Sequence, residues 1–230
     1  MPSANTKIRF APVACLLLGS VIGFGGRLVV DRLRRPNSSD THAAKTSVHA
    51  ALDGPSDIVM LGDSLTHWGE WSELFPGKSI SNRGIAGDEI KNIFFRLDSV
   101  YQLRPRTIFL MMGTNDLYQD ADEAKVFAQY IQVVENICAH GITPIIQTTP
   151  LAGPQYKHAT AFNLKVARLN ASLQAYALAQ GIGFVNLNAV MTKTGDFRIH
   201  DGIHLNGAAY KRWALAIENH LKSGEDISAL

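Results

Sequence analysis

Cysteine is nearly absent: Cys15 and Cys138 are the two among 230 residues, and they allow neither a disulfide framework nor a CxxC metal site. An excess of one charge is missing too. Twenty-two Lys and Arg against 20 Asp and Glu leave a net +2, and no run interleaves basic with aromatic side chains, which argues against nucleic acid as a partner. No GxSxG motif occurs. The nearest thing to a dinucleotide glycine loop, "GFGGR" from Gly23 to Arg27, follows no strand and sits in no βαβ unit, so that reading fails. What is present is 46% hydrophobic and 18% charged residues, the composition of one ordinary globular domain with something extra.

The extra part is at the N-terminus. Phe10 to Gly26 is almost uninterrupted apolar and small residues, with Lys7 and Arg9 before it and Arg27, Arg32, Arg34 and Arg35 after it. A spanning helix needs roughly 17–25 apolar residues, so extension to Val30 requires Arg27 to snorkel. The expectation is an uncleaved membrane anchor within residues 1–30, with the following domain outside the cytoplasm. The competitor is a cleaved signal peptide, although no AxA-like site closely follows the apolar core. Basic residues flank both ends, so the positive-inside rule orients the segment weakly. Gly19 and Gly23 form a GxxxG, a spacing that seats helix dimers but is common in any apolar helix.

Residues 31–52, "DRLRRPNSSDTHAAKTSVHAAL", show no apolar periodicity and read as a linker. From Asp53 to about residue 225 the texture is that of a folded domain. "DIVMLG", "KSISNRG", "RTIFLMMG", "ITPIIQTTP" and "IGFVNLN" read as buried strands. Helical spacing of apolar residues runs over Asp88 to Leu103, Asp120 to His140, Ala159 to Gln180, and Asn206 to about Lys222. Asp88 and Asn206 are expected N-caps, and Gly141 and Gly181 expected C-caps. Such alternation predicts a three-layer α/β/α domain with a mostly parallel five-stranded sheet. In an open sheet of this kind ligands bind beyond the carboxyl ends of the strands.

Polar residues cluster at those ends. After the first strand comes "GDSL" with Asp63 and Ser64. "NRGIAGD" with Gly84, Gly87 and Asp88 follows the second, "GTND" with Asn115 and Asp116 the third, and "HDGIHLN" with Asp201 and His204 comes beyond the fifth. Each alone has a plain explanation: a Ser at a helix start is more often a cap than a nucleophile, glycines serve turns, and a lone Asp and His are surface residues. Together they supply what acyl transfer needs: a nucleophile, a base, an orienter for the base and oxyanion donors.

At these blocks the sequence resembles the SGNH, or GDSL-type, esterase and lipase family. Ser64 stands in "GDSL", Gly87 in "NRGIAGD", Asn115 in "GTND", and Asp201 with His204 in "DGIH", all in family order. The wording around "GEWSELFPGKSISNRGIAGDEI" is most similar to the branch of sialate O-acetylesterases and platelet-activating-factor acetylhydrolases. The resemblance implies a flavodoxin-like SGNH hydrolase fold and an esterase that uses a Ser64, His204 and Asp201 triad. It also implies an oxyanion hole made by the Ser64 and Gly87 amides and the Asn115 side chain. No cofactor is implied.

Two tempting alternatives lie beside the motif. Asp63 adjoins Ser64 but adjacent residues rarely face one partner, so it reads as an organiser of the surrounding loops. His67, at i+3 from Ser64, has no obvious acid to orient it, whereas His204 comes with Asp201. His200 and His204 spell HxxxH, but no second ligand cluster completes a zinc site, so no metal is expected. Trp68 and Trp71 are candidate acyl-pocket residues that serve at least equally well as packing residues, and Arg83 is open between a substrate-pocket contact and a surface position. The expected substrate is a carboxylic ester with a short acyl or acetyl group on a sugar, lipid or small alcohol. A non-catalytic anchored carbohydrate- or lipid-binding module and a metal-dependent hydrolase are the competing functions, and nothing in the sequence sets the oligomeric state.

Overall fold

The computed structural model describes residues 40–191 and 197–228. In chain order these form α1 (Asp40–Ala51), β1 (Ile58–Gly62), α2 (Ser64–His67), α3 (Trp71–Leu74), β2 (Ile80–Gly84), α4 (Ile90–Phe95), α5 (Leu97–Tyr101) and β3 (Thr107–Met111). There follow α6 (Thr114–Tyr118), α7 (Glu123–Ala139), β4 (Thr143–Gln147), α8 (Ala159–Gln180), β5 (Gly183–Val185), α9 (Leu187–Met191) and α10 (Gly207–Ser228). The expected anchor within residues 1–30, with its GxxxG, and the start of the expected linker lie outside the described residues. Among the described residues no helix is long and apolar enough to cross a membrane.

The five strands pair in the order β2-β1-β3-β4-β5, all parallel, and each lies inside the apolar stretch that predicted it. Parallel strands are buried on both faces, which is why their apolar runs are continuous rather than alternating. Successive side chains still point to opposite faces. Val59, Leu61, Ile108, Leu110 and Ile146 join one core with α4, α5, α7 and α8. Met60, Phe109, Met111 and Ile145 join the other, with Trp71, Phe75 and the Tyr210, Trp213 and Ile217 face of α10. The result is the expected three layers. Strand order reverses between β1 and β3, so the crevice for a ligand opens past the carboxyl ends of those two strands.

Three local expectations are corrected. The helix predicted over Asp88 to Leu103 breaks at Arg96 (φ −111°, ψ 9°), whose guanidinium is drawn inward to Asp88 and to the Gly62 carbonyl. Asp88, committed to that pair, does not cap the helix; the residue at the cap is Glu89. The second correction concerns Asp120, which takes a left-handed φ of 64°, while Asp122 caps α7 through the amides of Ala124 and Lys125.

The third is the linker, whose last part is the helix α1. Alanines favour it, and its half-buried or buried positions are 42, 45, 46 and 49, the i, i+3, i+4, i+7 stripe of an amphipathic helix. Here the stripe is His42, Lys45, Thr46 and His49, so a search for apolar periodicity passes over it.

Candidate active site

The β1 strand ends at Gly62, where a Cβ would lie 2.2 Å from the Met111 carbonyl oxygen and 2.3 Å from Thr66 Oγ1; only glycine lets the chain turn there. Asp63 follows in extended conformation and its Oδ1 accepts from the Leu65 amide at 2.9 Å, which starts α2 at Ser64. The cap is therefore Asp63, and Ser64 occupies the first helical position rather than the capping one. Its hydroxyl faces the crevice.

The partner comes from the other end of the domain. His204 Nε2 lies 3.0 Å from Ser64 Oγ, and His204 Nδ1 lies 2.6 Å from Asp201 Oδ2. The second Asp201 oxygen accepts from the amides of Ile203 (2.8 Å) and His204 (2.9 Å), so one carboxylate both shapes the loop and holds the ring. Burial alone would raise this carboxyl. The hydrogen bonds from the His204 ring and the two amides outweigh it, and the carboxyl sits below the ordinary value. An ionised carboxylate only accepts, so Nδ1 is the donor in this pair, and Nε2 is the ring nitrogen that faces the Ser64 hydroxyl. The Trp68 indole stacks on the His204 ring with centroids 4.3 Å apart at 20°, and is itself 46% exposed.

Loops from β2 and β3, the neighbours of β1, complete the crevice. Gly87 has φ +82° in the turn closed by the Asp88 amide onto the Ile85 carbonyl, and it is exposed. Asn115 is the second residue of α6, and its Nδ2 donates to the Asp88 carbonyl at 2.9 Å. An amide nitrogen carries two protons, so one remains for another acceptor. The Ile90 amide donates to Asp116 Oδ2 at 3.1 Å, stitching the two loops together.

Beneath these loops lies a group of buried charges. Asp63 is fully buried and pushed up to about 7 by burial, against the opposing pull of the Leu65 amide and the Thr114 side chain, with Asp88 and Asp116 adding repulsion. Asp116 is pushed up to about 6, chiefly by burial. Burial raises Asp88 as well, although the adjacent Arg96 guanidinium, 2.8 Å away, pulls the other way.

The remaining sequence candidates separate clearly. His67 touches none of Ser64, Asp201 or His204 through a hydrogen bond; burial lowers its basicity, and its Nδ1 has no partner among the described residues. Arg83 is a correction: it is buried, and its guanidinium donates to the Asn82 and Leu52 carbonyls, so it ties the end of α1 to β2 instead of lining a substrate pocket. Trp71 is core, its indole N–H donating to the Thr66 carbonyl at 2.8 Å. His200 is exposed, and among the described residues no three His, Cys, Asp or Glu side chains gather as a metal site. Sequence reasoning missed the Asp88, Arg96 and His42 contacts; the only signal was an acid beside Gly87 and a basic residue eight positions on.

The arrangement is that of a hydrolase acting at an acyl centre. Residues 60–212 match the GDSL-like Lipase/Acylhydrolase family, and the chain belongs to that family and is an ester-cleaving hydrolase. Among individual proteins it is similar to the alpha1 subunit of platelet-activating factor acetylhydrolase IB from Rattus norvegicus, 26% identical over 172 residues, covering 69% of this chain and 72% of the relative. In fold it is similar to a GDSL-like lipase from Bacteroides thetaiotaomicron (TM-score 0.68, 24% identity, 80% of this chain and 98% of that one). It is likewise similar in fold to an acetyl xylan esterase (TM-score 0.61, 19% identity, 70% and 98%).

Proposed function

We propose that this hydrolase is a serine esterase in which Ser64 is the nucleophile, His204 the general base and then acid, and Asp201 the orienter of His204. The observation that carries the reading is the unbroken chain from Ser64 Oγ through the His204 ring to Asp201, at 3.0 and 2.6 Å. As Ser64 Oγ attacks the ester carbonyl, its proton passes to Nε2; the imidazolium is held by Asp201 and then returns the proton to the leaving alcohol. Water repeats the sequence on the acyl-enzyme and restores Ser64. The developing oxyanion is met by the amides of Ser64 and Gly87 and by the second Asn115 Nδ2 proton. The first helical amide of α2 lacks an intrahelical partner, and Gly87 is exposed with open space where a side chain would stand.

The substrate in this reading is an ester of a short acyl or acetyl group on a sugar, lipid or small alcohol, consistent with a relative named an acetylhydrolase. Trp68, half-exposed over His204, walls the pocket on one side. A fluorophosphonate probe tests the nucleophile: the wild type is expected to label and Ser64→Ala to remain unlabelled, and labelling that persists in the variant refutes the assignment. A profile of p-nitrophenyl esters from acetyl to decanoyl tests the acyl length, with preference for decanoyl as the overturning result.

For location, the length and apolarity of Phe10 to Gly26 support a single N-terminal anchor; this reading puts the esterase domain outside the cytoplasm, a side that the basic residues on both flanks do not select. Recovery of the full-length chain in the soluble fraction with an intact N-terminus would defeat it.

A further inference from the structure

We propose that His42, on α1, is a positioning residue for the oxyanion donors, acting through Asp88; the proposal rests on the reading of Gly87 and Asn115 given above. Asp88 is the point at which both donors are tied. Its amide closes the turn that holds Gly87, and its carbonyl accepts the Asn115 side chain at 2.9 Å. Its carboxylate is fully buried: Arg96 Nε donates to Oδ2 at 2.8 Å, and His42 Nε2 lies 2.9 Å from Oδ1, a close polar contact without the alignment of a hydrogen bond. Arg96 also donates to the Gly62 carbonyl, two residues before Ser64, so the same side chain joins the donor loop to the nucleophile loop.

The helix that delivers His42 is fastened to the domain. Its inward stripe of positions 42, 45, 46 and 49 is half-buried or buried, the stripe ends in the buried His49, and Arg83 Nη2 donates to the Leu52 carbonyl just past its end. A buried carboxylate oxygen deprived of its polar neighbour must find another or move. The backbone that would move here carries Gly87 on one side and the Asn115 acceptor on the other. Oxyanion donors act only when held within a fraction of an ångström of their place, so α1, which precedes the sheet, is part of the site's support.

The test uses full-length chains carrying His42→Gln, which keeps a polar group of similar reach beside Asp88, and His42→Phe, which keeps a ring without one. Ser64→Ala and the exposed α1 change Ala43→Ser run alongside, all at a temperature where circular dichroism shows every variant folded. With p-nitrophenyl acetate, His42→Phe is expected to lower kcat about tenfold with KM within about twofold, because the lost interaction belongs to the transition state. His42→Gln is expected to stay within about threefold of wild type, and Ala43→Ser to match it. Equal kcat for the Phe and Gln variants, or a loss confined to KM, overturns the role of His42. Retained turnover in Ser64→Ala overturns instead the reading of the site on which it rests.

Discussion

Two aspartates stand close in sequence to Ser64 and to His204, and they live in opposite surroundings. Asp63, next to Ser64, is sealed from solvent, and burial pushes its carboxyl up to about 7. Asp201, three residues before His204, is 37% exposed and its carboxyl stays below the ordinary range, because a ring N–H and two amides reward the ionised form. Only a group that is charged at working pH, with an oxygen to spare, can hold an imidazolium. The Asp63 oxygens serve architecture: one caps α2, and the other is buried, its remaining polar influence coming from the Thr114 side chain. In the proposed mechanism the carboxylate nearer to Ser64 in sequence is therefore not the one that orients the base, and the difference is one of solvation.

The largest effect is expected where that comparison is broken at its exposed side. Asp201→Asn keeps the loop but loses the ionised partner of Nδ1, and kcat for p-nitrophenyl acetate should fall by about 10³–10⁴-fold, as removal of a triad acid does elsewhere. A loss under tenfold would show that Asp201 is dispensable. Asn115→Ala should follow at about 10²–10³-fold in kcat with KM little changed, the loss of one oxyanion donor.

The buried side is broken by Asp63→Asn, which should cost less than about tenfold in kcat and act mainly on stability. A folded-state value of about 7 against an ordinary 3.8 means that the folded protein binds the proton more tightly, so stability is lost as pH rises between those values. The melting temperature of Asp63→Asn relative to wild type should therefore rise between pH 4.5 and pH 8. One pKa unit is about 1.4 kcal/mol and about 1 kcal/mol moves Tm by roughly 2–4 °C at this chain length, so a gain of at least about 3 °C is expected. A flat difference across that range would show that Asp63 stays ionised. The smallest effect is assigned to His67→Ala, which should leave kcat within about twofold; parity with His204→Ala would reverse the choice of base.

Much of this was legible in the chain. The strands were visible because parallel strands buried on both faces need unbroken apolar runs, as in "IVML" and "IFLM". Ser64, Gly87, Asn115, Asp201 and His204 could be picked out as candidates because each stands in a short block just past a strand or its following loop. Misreadings fell where a polar side chain does structural work. Arg83 looked like a substrate contact and is buried under the end of α1; Asp88 looked like a cap and is an ion-pair partner; α1 looked like a linker because histidines, lysine and threonine make its inward stripe. Hydrophobic patterning reports burial of carbon, and these residues are buried for their nitrogen and oxygen.

By itself, then, the order of residues determined the succession of the strands and longer helices, the layered architecture that follows from it, and the family to which the chain belongs, since all of these depend on local pattern and short spacing. Only the tertiary structure decided which side chains meet. That Ser64 faces His204 across 140 positions of chain, that Asp63 is sealed while Asp201 is wet, and that a helix before the sheet reaches Asp88 are consequences of how the loop before α10 and the helix α1 pack onto the loops after β1, β2 and β3. Solvation and long-range contact are properties of the packed chain, and no window of sequence contains them.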